Sequence, residues 1–271
     1  MTRQEERFRA SVREELERRR AGLDDAPGRV LALLRLMQAD ILDVLAGAPS
    51  EFDAAFLPRL LSEVVRGVEH WSDRVVDAAD GVWAGAARRG PRLLLMPLAA
   101  AGIHVGHGGG RLTDTLLRTV AGYSAEKLEI GLAQGRAAIE QHVRLAVLGG
   151  QSPHEAMQGI GRSLDGPGPF RRISHRSEVI VRTEVGRIHS AAADLRLMEA
   201  AELVPDLGKE WLWSGKSRVA HAAVSGQRRK AGEAFDVAGE KLQYPRDPAG
   251  SPENTILCGC ESIPWMARWD S

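Results

Sequence analysis

Cysteine is nearly missing from this chain, with two among 271 residues, and so a disulfide scaffold is excluded. Aromatic residues make up only 5%, with two tyrosines. Isoleucine and threonine are sparse beside alanine, leucine, arginine and glutamate, a balance that favours helix over sheet. Net charge is also lacking: 36 Lys plus Arg stand against 36 Asp plus Glu. A uniformly basic coat for nucleic acid is therefore excluded, though a local patch is not. Long apolar runs are absent. The longest, Leu93 to Ile103, contains Pro97 and is too short to cross a bilayer, so no membrane association is expected. The first 20 residues hold seven arginines and five glutamates and no apolar stretch of signal type. A soluble, reducing compartment is expected.

What is present is a globular composition, 44% hydrophobic and 27% charged, enough for one large domain or two small ones. Residues 1–20 read as a charged helix with little apolar face, solvated or frayed. Val30, Leu34, Met37, Ile41 and Val44 then step at helical spacing. So do Phe56, Leu60, Val64, Val68, Trp71, Val75, Ala79 and Val82, with Pro58 in the first turn. Residues 28–89 are thus expected to form a helical hairpin whose seams need a partner. Residues 90–122 are hard to read. Their Ile103 to Gly110 stretch lacks the Gly-x-Ser-x-Gly of a hydrolase and the Gly-Lys-Ser/Thr of a phosphate loop, and reads as a glycine-rich turn.

Leu128, Leu132, Gly135, Ile139, Val143 and Ala146 predict a helix over 124–148. Ser152-Pro153-His154-Glu155 reads as a capping box opening a short helix, 153–164. Asp165 to Pro169 breaks the chain, and a last long helix follows over 172–202. Beyond 205, Trp211 to Trp213, Phe235 to Val237 and Thr255 to Cys258 read as short strands among Gly, Pro and Asn. The expected fold is mainly α, with long helices and helical hairpins and a small α+β, loop-rich C-terminal module. The expected division is a helical region 1–122, then 123–271, with helices over 124–202 and a mixed module over 205–271.

Charge is segregated in that module. Residues 211–230 hold Lys216, Arg218, Arg228, Arg229 and Lys230 and no acid, whereas 233–271 carry a net charge of −4. The basic loop suits DNA phosphates or a partner's carboxylates. Glu184 falls on a partly apolar helix face and needs a partner: it is a structural salt bridge to the module or, alternatively, a catalytic acid.

The ordered set matters more than any one piece. Arg182-Thr183-Glu184 on a helix is followed by Trp211, Arg218-x-x-His221 and Gly226-Gln227. Then come Phe235-Asp236, Tyr244-Pro245-x-Asp247-Pro248 and finally Cys258-x-Cys260. This order resembles the phage Mu protein F-like family of minor head, or head-morphogenesis, proteins over about residues 150–264. Residues 1–120 carry no such resemblance. Two departures stand out. The family usually has an Asp just before the Arg-x-x-His, where this chain has Ser214-Gly215-Lys216. It often ends Asn-Cys-Arg-Cys, where this chain reads Leu257-Cys258-Gly259-Cys260.

The resemblance implies a structural virion protein of the phage head interior or portal vertex, made in the bacterial cytoplasm. It would work by interaction rather than turnover. Its partners would be the portal, other head proteins and double-stranded DNA, and it would need no cofactor. The alternative is a metal-dependent or nucleotide-modifying enzyme built on Glu184, Arg218 and His221. Zinc held by His221, Cys258 and Cys260 is a further alternative to buried free thiols. In an extended strand, Cys-x-Cys thiols lie about 6–7 Å apart, and Gly259 would have to supply a kink. His189, Asp236 and Asp247 are the candidates for a fourth ligand.

Overall fold

Ordinary helix-forming composition and clear punctuation produce a chain of long helices followed by a small sheet module. The computed structural model describes residues 1–47, 57–106, 111–148, 155, 158, 169–215 and 218–269. The helices are α1 (Arg3–Asp25), α2 (Gly28–Ala46), α3 (Leu57–Arg89), α4 (Arg92–Ala100), α5 (Arg111–Leu148) and α6 (Pro169–Leu203). In the C-terminal module come β1 (Leu207–Leu212), α7 (Val219–Ala222), β2 (Arg228–Lys230), β3 (Phe235–Val237), β4 (Glu240–Leu242), α8 (Pro252–Thr255) and β5 (Glu261–Met266). The protein is mainly α with a small α+β C-terminal part. No helix among the described residues is long and apolar enough to cross a membrane.

The chain forms two compact units. One comprises Met1–Ala26, Val82–Gly122 and Arg182–Ser271; the other comprises Pro27–Gly81 and Tyr123–Val181. Each unit is discontinuous, because α3, α5 and α6 each contribute to both, and the regions 1–122 and 123–271 are each divided between the two units.

In the second unit, α2 buries Val30, Leu34, Met37 and Ile41 as expected, and the seam closes on Leu45 rather than Val44. On α3 the buried row runs Leu60, Val64, Val68, Trp71, Val75 and Ala79. Trp71 Nε1 donates to Asp40 Oδ2 at 2.7 Å, tying α3 to α2. The mate these seams require lies within the same chain. Leu128, Leu132, Ile139 and Val143 of α5 are buried in this unit, and Arg136 Nη1 reaches Glu69 Oε1 at 2.7 Å. A Cβ on Gly135 would come within 2.3 Å of Ile173 Cγ1, so glycine lets α5 and α6 touch. Helix α5 starts at Arg111, well ahead of the expected 124. Phe56, the Ser152 capping box and most of the short helix 153–164 lie outside the described residues.

The first unit corrects the reading of α1. The helix is capped, with Thr2 Oγ1 accepting the Glu5 amide, and it is not a solvated appendage. Phe8, Val12 and Leu16 enter a core with Leu93, Leu94, Leu98, Leu197, Leu207 and Met266. Three apolar residues suffice because Arg92 of α4 grips Glu15 through two bonds, of 3.0 and 3.2 Å. In this unit the α3 seam continues through buried Trp83 and Ala86, where Val82 was expected. Gly90 makes the α3–α4 turn lie against α6: a Cβ there would sit 2.5 Å from Ala192 Cβ.

The sheet has the order β2-β1-β5, and β3 pairs with β4. Three of these strands escape sequence pattern. Both β2, which is Arg-Arg-Lys, and β5, which contains Pro264, are edge strands, where charge and proline are tolerated. Thr255 to Cys258 is not a strand: Thr255 ends α8, and a turn follows.

Candidate functional site

The motif residues converge within the first unit. Trp211, on β1, is fully buried against Phe235 and against the imidazole of His221, with ring centroids 5.2 and 5.9 Å away. Phe235, Val237, Leu242, Cys258 and Cys260 complete that core. Gly226 adopts φ +83°, a conformation that suits glycine, and its amide donates to Trp211 O at 2.8 Å. The neighbouring Gln227 then mimics a strand: its Oε1 accepts from Asp236 N at 2.8 Å. In the Tyr244-Pro245-Arg246-Asp247 turn, Asp247 accepts the amides of Gln243 and Ala249 at 2.7 and 2.9 Å, while Pro245 is buried. Burial pushes the Tyr244 phenol up.

His221 lies on α7, and Cys258 and Cys260 on the turn between α8 and β5. His221 Nδ1 sits 3.4 Å from Cys258 Sγ and 3.6 Å from Cys260 Sγ. On the other side of the ring, His221 Nε2 is 3.1 Å from Asn254 Oδ1. All three candidate ligand atoms lie within 4.8 Å of one another. A hydrogen bond from Cys260 draws the Cys258 thiol down to about 6, helped by the Arg246 charge and opposed by burial. These are the described residues that could hold a metal. The other sequence candidates have different work: Asp236 pairs with Arg229 and Lys241, Asp247 caps its turn, and His189 lies among Arg19, Arg89 and Arg246.

A second cluster clamps this turn to α6. Arg187 Nη1 donates to both oxygens of Glu184 at 2.6 Å, and its Nε donates to Arg246 O at 2.7 Å. Glu184 and Arg187 are both about 2% exposed, so the Glu184 carboxylate is a buried structural partner. Thr183 Oγ1 accepts the Leu257 amide at 3.1 Å. Arg182 reaches outward to Asp24 at 2.9 Å.

Arg246 was hidden in the sequence as the variable position of its motif, yet it is central. Its guanidinium donates to the carbonyls of both Cys258 and Cys260, and pairs with Glu261 at 3.0 Å. Arg19 of α1 meets the same Glu261 at 3.0 Å, and burial lowers it to about 10. Lys209 is a further buried tie, bonding Asp194 of α6 and Gln243 O at 2.7 Å each. No sequence pattern singled out these residues, because partners far apart along the chain define them.

The basic segment 216–230 is not a loop throughout. Arg218 donates to Ile256 O at 3.0 Å, and Arg228, Arg229 and Lys230 form β2. Arg228 pairs with Glu210 at 2.8 Å and Arg229 with Asp236 at 2.9 Å. Lys216 lies outside the described residues. No family model, curated protein or solved structure matches the chain, so the resemblance rests on its motifs alone.

Proposed function

We propose that the chain is a minor head protein of a phage or prophage, acting in head morphogenesis through contacts with the portal and other head proteins. The resemblance carries the identity. The observation that best supports it is the gathering of Trp211, His221, Phe235, Cys258 and Cys260, drawn from separate motifs, around one buried core. The enzyme alternative finds less support. Its three residues are occupied: Glu184 by Arg187, Arg218 by a backbone carbonyl, and His221 by Asn254 and two sulfurs. The cavities of 270 and 240 Å³ in this unit are lined by other side chains. The partner is read as protein, since Arg228 and Arg229 are engaged with Glu210 and Asp236.

The test is to purify heads assembled by the genome that encodes this chain and to assay them by mass spectrometry and portal pull-down. The chain is expected in heads and on the portal; its absence from both overturns the reading. Heads that incorporate folded Glu184→Gln normally yet lose infectivity would favour the enzyme. Retention on double-stranded DNA that falls steeply with added salt would shift the contact to phosphates.

A further inference from the structure

We infer that His221 Nδ1, Cys258 Sγ and Cys260 Sγ hold one tetrahedral divalent cation of soft, zinc-like character, which clasps the C-terminal module. The inference stands on geometry and does not depend on the proposed function.

The spacing is what such an ion requires. Zinc binds thiolate at about 2.3 Å and imidazole at about 2.0–2.1 Å. At the tetrahedral angle those bonds set each N···S edge at about 3.5 Å. The two N···S edges here are 3.4 and 3.6 Å. The ligands therefore already stand at tetrahedral separations from the imidazole.

One tautomer fits the outer side of the ring. The Asn254 oxygen that faces His221 Nε2 at 3.1 Å can only accept, so Nε2 carries the proton and donates to it. That leaves the Nδ1 lone pair facing both sulfurs. An outer partner that fixes the free ring nitrogen is the usual companion of a metal-bound histidine.

The turn is built to bring two thiols together. Arg246 holds the carbonyls of Cys258 and Cys260, Leu257 takes φ +51°, and Gly259 lies between the cysteines. A cation placed between the three residues would use the lone pairs of Nδ1 and of both sulfurs that stand at it. Two thiolates and a neutral imidazole also cancel a divalent charge, which matters where the three residues are at most 3% exposed.

The cluster of His, Cys, Asp or Glu ligands among the described residues has three members, and the proposal leaves the fourth corner to a water molecule. An open corner is the pattern of catalytic zinc, but the burial of all three ligands leaves substrate no approach. The ion instead joins α7 to the Cys-x-Cys turn and reinforces a small core.

The full-length protein, purified without chelator from zinc-supplemented cells, should contain about one zinc per chain by elemental analysis. Cobalt added to the stripped protein should give the strong visible bands of tetrahedral coordination and a near-ultraviolet thiolate band. His221→Cys should keep both signals, His221→Ala should lose them, and Asn254→Ala should weaken zinc binding roughly 10–100-fold. Circular dichroism of each variant separates lost binding from lost folding. Substoichiometric zinc together with an octahedral cobalt spectrum, or thiols equally protected with and without chelator, would overturn the inference.

Discussion

The Thr183 hydroxyl accepts the backbone amide of Leu257 at 3.1 Å, pinning a left-handed residue to α6. Leu257 has φ +51°, a region that costs an L-residue roughly 1–2 kcal/mol. Its side chain is 51% exposed and so recovers little by burial. Asparagine tolerates this conformation far better, and it is the residue the resembled family often carries here. Leu257→Asn should therefore raise stability by about 1 kcal/mol, and Leu257→Val, being β-branched, should lower it. Thermal melting of the two variants is the check. An asparagine variant that melts at or below the parent temperature would remove the strain account.

Gly186 makes room for Arg246. A Cβ at that position would fall 2.4 Å from Arg246 Nε and 2.7 Å from its Cζ. The guanidinium would have to leave the Cys258 and Cys260 carbonyls and the Glu261 carboxylate. Displacing one member of a buried ion pair costs about 3–5 kcal/mol. Gly186→Ala should cost about that much in urea unfolding. Combined with Arg246→Ala, it should add far less than its separate effect, because both changes act on one interaction. Full additivity would show that Gly186 matters for helix packing alone.

The legible parts of this fold were those written in local pattern. Periodic apolar residues mark α2, α3 and α5, and the spaced motifs name the residues around Trp211 that pack together. Helix α1 reads as solvated because its seam is only Phe8, Val12 and Leu16, completed by buried Glu15 and Arg19, which pair with Arg92 of α4 and Glu261 of β5, and by buried Glu5, which pairs with Arg9. The strands β2, β4 and β5 are short or sit at edges, and carry charge or proline where pattern expects alternation. Arg246 and Lys209 were invisible for a different reason. A buried cation looks like any surface cation until its carboxylate, fifteen residues away or more, is brought to it.

His189 supplies the pH-dependent element. It is 3% exposed, and neither ring nitrogen has a hydrogen-bond partner. Burial first, then the charges of Arg19, Arg89 and Arg246, press it down from 6.5 to about 2. The folded state therefore keeps the ring neutral across mildly acidic pH, while the unfolded chain takes up the proton below about 6.5. The sign follows. The contribution to stability is complete above 6.5 and is lost as pH falls toward 2, by up to about 1.36 kcal/mol per pH unit. Between pH 7 and 5 most carboxylates have yet to titrate. Urea unfolding at those two pH values should show parent protein losing about 1.9 kcal/mol more than His189→Leu. At pH 7 the leucine variant should be at least as stable as the parent, since it removes a buried ring with unmet hydrogen bonds. Equal losses in the two proteins would mean that His189 does not set the acid limb.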